Sequence, residues 1–181
     1  MSIEVELWLF TLSALLLSLE RICYVWAWRH TDSFVAFCES APVALLGEPS
    51  AVLERFFYGF KLIQIGVFVA WCLAHGNGAP WPRDPGVAAV VGVAAIAFGQ
   101  TLNLAVFHRL GRIGVFYGNR LGYHLPWVDG FPFSLVRHPQ YVGAVLSIWG
   151  FFLVTRFPHE DWVVLPLLET AYYALGAHLE S

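Results

Sequence analysis

Long apolar runs separated by short polar segments make up most of the chain. A helix needs about 20 mostly apolar residues to cross a bilayer, so runs of about that length with few charged residues are candidate membrane helices. Five runs fit this pattern: Leu7–Trp28, Phe56–Ala74, Pro85–His108, Tyr141–Thr155 and Trp162–Leu179. The last two are short and flank the polar segment Arg156–Asp161, which predicts a helical hairpin. The pattern therefore predicts an all-α fold, a polytopic membrane protein with about five hydrophobic helices.

Charged residues inside two of these runs need an explanation. Glu20 and Arg21 in the first run predict a helix that bends or lies partly along the membrane interface. Glu169 lies in the middle of the last run, where a charged carboxylate costs about 2.5–3.5 kcal/mol on insertion scales. We therefore expect Glu169 to face protein, water or a partner. It lies eleven residues before Glu180, or about three helical turns, which places both carboxylates on one helix face.

The basic residues indicate how the helices are oriented. Cytoplasmic connections of membrane proteins are enriched in Lys and Arg. The connections after the first and third runs hold most of the arginines: Arg29, Arg55, Arg109, Arg112, Arg120 and Arg137. The opposite side holds Arg83 and Arg156, and there the turn-rich segment 76–82 joins the second and third runs. We therefore expect an outer N-terminus and a cytoplasmic C-terminus.

Composition supports a membrane protein and excludes other classes. Hydrophobic residues make up 58% of the 181 residues and charged residues 13%, which is more apolar than a soluble domain. The net charge is −3, so we expect no nucleic-acid partner. Cys23, Cys38 and Cys72 lie too far apart for a zinc or redox motif, and we expect no metal site. The length fits one domain over 1–181, with N-terminal helices in 1–82 and the candidate chemistry in 85–181.

That chemistry concentrates between the third and fourth runs. The segment His108–Tyr141 contains four arginines and is too polar and too long for a simple turn. The fourth helix is predicted to begin at Pro139, beside Arg137 and His138. The partial positive charge of a helix N-terminus suits a carboxylate or a phosphate. The hairpin returns Glu180 to the same side, so these residues form one candidate site.

Structural explanations compete with functional ones at several of these residues. His138 beside Pro139 could serve only to cap the helix, and Glu180 could be an exposed terminal acid. Gly92 and Gly99 in the third run predict close helix packing. For Gly99, contact with a ligand is an equally good explanation.

Several short motifs resemble the small membrane phospholipid N-methyltransferases. These are Phe131-Pro132-Phe133, the segment from Arg137-His138-Pro139-Gln140-Tyr141 to Val142-Gly143, and the terminal Leu179-Glu180-Ser181. The resemblance is strongest to the phosphatidyl-N-methylethanolamine type of plants and fungi, and it extends upstream through Gly99–Leu104 and Tyr117-Gly118. It covers about the C-terminal half of the chain. Isoprenylcysteine carboxyl methyltransferases share much of the R-H-P-x-Y-x-G core, and the Phe-Pro-Phe prefix favours the phospholipid family.

The resemblance implies transfer of a methyl group from S-adenosyl-L-methionine to a methylated phosphatidylethanolamine, giving phosphatidylcholine. It implies that cofactor contacts come from Ala97, Phe98, Gly99, Arg137, His138, Pro139, Glu180 and Ser181. The candidate catalytic residues are His138, Tyr141 and Glu180, and His178 is a further candidate to accept the amine proton. Arg137 is expected to hold the lipid phosphate or the cofactor carboxylate. Two positions depart from the family pattern: Ala97 replaces the first glycine of a G-x-G, and Ser181 replaces the second of two acids.

Three interpretations follow for the function. The favoured one is a phospholipid N-methyltransferase whose acceptor lipid enters from the bilayer and whose site faces the cytoplasm. The membrane would be the endoplasmic reticulum of a eukaryote or the inner membrane of a bacterium. The alternatives are a prenylcysteine carboxyl methyltransferase and a non-enzymatic scaffold or transport subunit, for which the intramembrane Glu169 is the main argument. The sequence leaves self-association open.

Overall fold

The computed structural model describes residues 3–76 and 86–180, and within these ranges the fold is all-α, as predicted. The helices are α1 (Ile3–Arg29), α2 (Thr31–Glu39), α3 (Pro49–His75), α4 (Val87–Val115), α5 (Pro139–Thr155) and α6 (Val164–Leu179). Two 3₁₀ segments, Val43–Leu46 and Glu160–Val163, precede α3 and α6. Arg83 and most of the predicted turn at 76–82 lie outside the described residues.

The five long helices, α1 and α3 to α6, correspond to the five predicted apolar runs, with some boundaries shifted by several residues. Helix α4 continues to Val115 past Gly111, whose φ of 64° interrupts the helical geometry and is one that glycine adopts readily. Helix α2 was not predicted, because its nine residues are far too short to register as a span. It buries Phe34 and Cys38, which lie one turn apart on the same face.

Burial explains Glu20 and Arg21, for which the sequence predicts a bent or interfacial first helix. Helix α1 is continuous from Ile3 to Arg29, and both Glu20 and Arg21 are buried against other helices. Their ion pairs with each other and with Lys61 of α3 compensate the charges inside the bundle. The charged residues therefore belong to an interior polar cluster that joins α1 to α3.

The surface of the bundle is that of a membrane protein. Within the described residues, α3 and α4 are long and apolar enough to cross a bilayer by length and composition, and α5 is a shorter apolar helix. Large apolar side chains are exposed along the helices, among them Leu15, Leu62, Val90 and Leu167. Such a continuous apolar exterior is unfavourable in water and is favourable against lipid.

Helices α4 and α5 form the closest contact in the bundle. Gly92 faces Gly150, and Gly99 faces Gly143, so two glycine pairs seven residues apart line the antiparallel seam. A Cβ atom on Gly92 would lie 2.6 Å from the Gly150 carbonyl oxygen, closer than real Cβ contacts allow. The close packing predicted for Gly92 and Gly99 is therefore confirmed.

Candidate functional site

The sequence around Pro139 brings the side chains of His138 and Tyr141 together at the start of α5. Pro139 occupies the first turn of α5, where its missing N–H needs no partner. His138 is the N-cap residue, yet its side chain makes no capping hydrogen bond to the part of the chain that the structure describes. The imidazole instead stacks on the Tyr141 ring, with centroids 5.9 Å apart. The capping explanation for His138 therefore has no support in its contacts.

The α5–α6 hairpin brings Glu180 to the same place. Glu180 is the C-cap of α6, and the Arg29 Nε donates to the Leu179 carbonyl at 2.5 Å, which ties the end of α6 to α1. The Tyr141 hydroxyl donates a short hydrogen bond to Glu180 Oε2. Glu180 Oε1 is buried and has no hydrogen-bond partner among residues 3–76 and 86–180. One carboxylate oxygen is thus fixed by Tyr141, and the other keeps an unused capacity to accept a hydrogen bond.

These residues line a cavity of about 230 Å³, here called the loop cavity. It lies between the ends of α1, α4, α5 and α6 and the connection 116–138. Five predicted site residues line it: Arg137, His138, Pro139, Tyr141 and Glu180. Phe133 also lines it, and the Arg109 Nε donates to the Phe131 carbonyl at 3.1 Å, which ties the Phe-Pro-Phe motif to α4.

Tyr117 is a lining residue that the sequence interpretation did not assign to the site. Its φ of 57° is rare for a residue with a side chain and stores backbone strain. Burial raises the pKa of the Tyr117 phenol well above its ordinary value, and the charges and hydrogen bonds of the neighbouring Tyr141 and Glu180 raise it further. The phenol therefore stays neutral beside the carboxylate. The Tyr117-Gly118 motif pointed to this segment but not to a role for the side chain.

A second cavity of about 470 Å³ lies deeper among the five long helices and is here called the membrane cavity. One wall is apolar, with Phe57, Phe68 and Phe151. Tyr24, Gln140 and Tyr141 line both cavities, so these three side chains separate the two spaces. A ligand in one cavity can therefore lie close to a ligand in the other.

The polar wall of the membrane cavity centres on Glu20. Its carboxylate accepts from Arg21 Nη2 at 2.6 Å and from Lys61 Nζ at 3.0 Å. Lys61 Nζ also donates to Gln64 at 3.1 Å and to the Tyr173 hydroxyl at 3.2 Å. The Arg21 guanidinium lies over the Tyr173 ring at 4.2 Å. This arrangement holds two cations at fixed positions.

Glu169 lies behind this wall. The Gln64 amide donates to Glu169 Oε1 at 2.5 Å, and the carboxylate is buried but does not line the membrane cavity. Of the three surroundings predicted for Glu169, which are protein, water or a partner, the structure shows protein. Its contacts link it to the polar cluster of α3 and not to Glu180.

The membrane cavity has an apolar side window. Within the described residues the backbones of α3 and α4 rarely approach each other, although Arg112 of α4 pairs with Glu54 of α3. Ile65 on α3 and Leu104 on α4 line the cavity and are nevertheless 59% and 68% exposed. The cavity therefore reaches the lipid-facing surface at these two residues.

The structure does not bring every predicted residue to these cavities. Ala97, Phe98 and Gly99 line neither of them; Phe98 is 49% exposed on the surface of α4, and Gly99 packs on Gly143. Their contact with a cofactor stays a prediction. His178 is exposed and lines neither cavity, and Ser181 lies outside the described residues.

Comparisons with known proteins agree on one family. A family model of phospholipid methyltransferases matches residues 87–181. The phosphatidyl-N-methylethanolamine N-methyltransferase of Arabidopsis thaliana is 33% identical over 129 residues, which cover 69% of this chain and 67% of the relative. The proteins of the same name from Saccharomyces cerevisiae and Schizosaccharomyces pombe are each 38% identical over 38% and 32% of this chain. Those two matches span about a third of each yeast protein, 34% and 31%. No solved structure gives a significant match.

Proposed function

The chain belongs to the phospholipid methyltransferase family and is a methyltransferase, and we propose that it methylates the amine of phosphatidylethanolamine derivatives. The proposed acceptors are the monomethyl and dimethyl forms, the proposed donor is S-adenosylmethionine, and the product is phosphatidylcholine. The observation that carries the proposal is the pair of cavities that meet at Tyr141, one at the polar loop face and one open to lipid. Methyl transfer needs two reactants held in line and shielded from water, which this arrangement favours.

The donor is assigned to the loop cavity because its side chains match the donor's functional groups. S-adenosylmethionine carries an ammonium group, a carboxylate and ribose hydroxyls, and it supplies an electrophilic methyl group when bound. Glu180 Oε1, buried without a partner among the described residues, accepts from the ribose hydroxyls or the ammonium group. Arg137 at the rim pairs with the carboxylate. The contact expected of Ala97–Gly99 and of Ser181 belongs to the same proposal.

Tyr141 is the proposed link between acceptor and proton acceptor. An amine must be neutral to act as a nucleophile, so a nearby group has to take its proton. Tyr141 lines both cavities, and its hydroxyl already donates a hydrogen bond to Glu180. It can accept the amine proton while its own proton passes to the Glu180 carboxylate. His138, stacked on the Tyr141 ring, fixes the ring orientation and is the second candidate acceptor.

The orientation and the catalytic unit are part of the proposal. The loop cavity lies on the side rich in arginine, so it faces the cytoplasm by the positive-inside rule. That membrane is the endoplasmic reticulum or a bacterial inner membrane. The residues proposed for the donor lie in 85–181, and the walls of the membrane cavity come also from α1 and α3. One domain over the whole chain therefore forms the site.

A methyl-transfer assay with separate acceptors tests the proposal. Purified protein in detergent receives labelled S-adenosylmethionine and one acceptor at a time: phosphatidylethanolamine, its monomethyl form, its dimethyl form, or a prenylcysteine. We expect label in the monomethyl and dimethyl lipids, strongly reduced in Glu180→Gln and His138→Ala. The exposed Glu39→Gln on α2 is the matched control and keeps full activity. Label on the prenylcysteine alone would reassign the acceptor, and absence of both label and cofactor binding would support a scaffold.

A further inference from the structure

The structure describes three buried side-chain atoms that lack a hydrogen-bond partner among residues 3–76 and 86–180, and all three belong to residues that line the cavities. Glu180 Oε1 belongs to the loop cavity, whereas Arg21 Nη1 and Asn103 Oδ1 belong to residues of the membrane cavity. Native proteins rarely leave a buried polar atom without a partner, because its lost hydrogen bonds to water are then not replaced. Two residues that line the membrane cavity, Arg21 and Asn103, therefore carry an unused donor and an unused acceptor.

Arg21 is the residue with the free donor. It is 6% exposed, and Glu20 accepts only from its Nη2. Lys61 is different, because its ammonium group has three donors and already has three acceptors in Glu20, Gln64 and Tyr173. Lys61 thus contributes charge, while Arg21 contributes both charge and an available N–H.

The charges that line the membrane cavity favour an anion. Arg21 and Lys61 are cationic and Glu20 is the one carboxylate in the lining among the described residues, so one positive charge is left over. Glu169 lies behind Gln64 and outside the lining. The remaining wall is largely apolar and reaches the lipid-facing surface at Ile65 and Leu104. A ligand that is anionic at one point and apolar over most of its length fits this space.

We propose that Arg21 binds the phosphodiester of the phospholipid acceptor inside the membrane cavity, with its guanidinium held by Glu20, whose carboxylate is held in turn by Lys61. The inference rests on the proposed function, since it names the phosphate subsite of that reaction. Arg21 lies 5.4 Å from the centre of the Tyr141 ring. A phosphate at Arg21 therefore places the amine, one ethylene linker away, beside Tyr141, which is one of the three residues that separate the two cavities. Arg137 keeps its proposed role, which is to bind the carboxylate of the methyl donor. Residues 21 and 61 lie outside the matched segment 87–181, so this subsite belongs to the N-terminal helices.

Equilibrium binding with and without the phosphate tests the proposal. The purified full chain in neutral detergent is titrated with short-chain phosphatidylmonomethylethanolamine, and separately with an analogue whose phosphodiester is replaced by an uncharged linker. A charge-assisted hydrogen bond predicts that the wild type prefers the phospholipid about 10- to 100-fold. Arg21→Gln loses most of this preference. Arg21→Lys, which keeps the charge beside Glu20, retains part of it.

A matched variant separates phosphate binding from general damage. Arg156 is also buried and ion-paired, to Asp161 at 2.6 Å, but lies at the far end of α5. Arg156→Gln therefore keeps the wild-type preference for the phospholipid. Unchanged preference in both Arg21→Gln and Arg21→Lys would overturn the assignment, as would equal binding of the two lipids by the wild type.

Two further arms distinguish the source of the phosphate and the fate of the proposed function. Inorganic phosphate is expected not to displace the phospholipid, because it cannot contact the apolar wall; displacement at comparable concentration would overturn the lipid assignment. If the protein methylates the phospholipid but substitution of Arg21 does not change its preference for the phospholipid, the proposed function is supported and the phosphate subsite is refuted. If the preference depends on Arg21 but no methyl transfer occurs, the subsite is supported and the proposed function is refuted.

Discussion

The glycine pairs between α4 and α5 make a quantitative prediction about stability. A Cβ on Gly92 would lie 2.6 Å from the Gly150 oxygen and 2.8 Å from Val154 Cγ2. A Cβ on Gly99 would lie 2.6 Å from Ser147 Oγ and closer still to the Gly143 oxygen. Because backbone oxygens cannot move aside, the helices must separate by several tenths of an ångström. Overpacking of this kind costs about 1–3 kcal/mol, so both alanine variants should lose that much free energy of unfolding.

Gly66 on α3 provides the matched control. Nothing lies within 4 Å of a Cβ built at Gly66, and alanine is favoured over glycine in a helix by up to about 1 kcal/mol. Denaturant titrations in one detergent should therefore rank Gly66→Ala at or above the wild type and both seam variants below it. Equal stability of all three variants would refute the close contact.

The same variants test whether Gly99 also contacts the donor. If it serves only in packing, Gly92→Ala and Gly99→Ala change the dissociation constant for S-adenosylmethionine to the same small extent. Contact with the donor, as the family resemblance implies, predicts a larger increase for Gly99→Ala alone. Equal dissociation constants would contradict a cofactor role for the Ala97–Gly99 segment.

Three further predictions follow from single contacts. Tyr141→Phe keeps the ring but removes the hydrogen bond to Glu180, and we expect methyl-transfer kcat to fall about 10- to 100-fold with cofactor affinity little changed; an unaltered kcat would exclude the proposed proton path. Burial alone would raise the pKa of Asp161, but the hydrogen bond to Arg156 and the charge of Arg156 lower this pKa below 3.8. The wild type should therefore exceed Asp161→Asn in free energy of unfolding by a constant amount above about pH 5, and this difference should disappear as the pH falls through the lowered pKa. A difference that does not depend on pH would contradict this. Burial and the nearby Glu39 raise the pKa of Cys38 to about 11, so alkylation at neutral pH should be about 100-fold slower than for an exposed thiol; equal rates would show that the thiol is accessible.

Local sequence patterns predicted the helices and one side of the site because both depend on short segments. The apolar runs predicted the five long helices, and the residues around Pro139 determine where α5 begins. Glu180 required one further step, the return of the hairpin. These features involve neighbouring residues or one antiparallel helix pair, which a pattern can reveal.

The membrane cavity could not be predicted from such patterns. From the sequence alone, Glu20 and Arg21 suggest only a perturbation of their own helix. Their partner Lys61 lies 41 residues from Glu20, too far along the chain for a local pattern to connect them. An interior ion cluster depends on which helix faces contact each other, and a single sequence does not specify this. The position of Tyr117 in the site could not be predicted for a related reason, because its positive φ depends on how the connection 116–138 packs.

A structure of the full chain with S-adenosylhomocysteine in a membrane mimetic would show where the methyl donor binds. We expect ligand density in the loop cavity, with Glu180 Oε1 hydrogen-bonded to the ligand and the ligand's sulfur directed toward Tyr141. Density in the membrane cavity beside Arg21, or at the exposed face of Phe98 away from Glu180, would contradict the assignment of the two cavities.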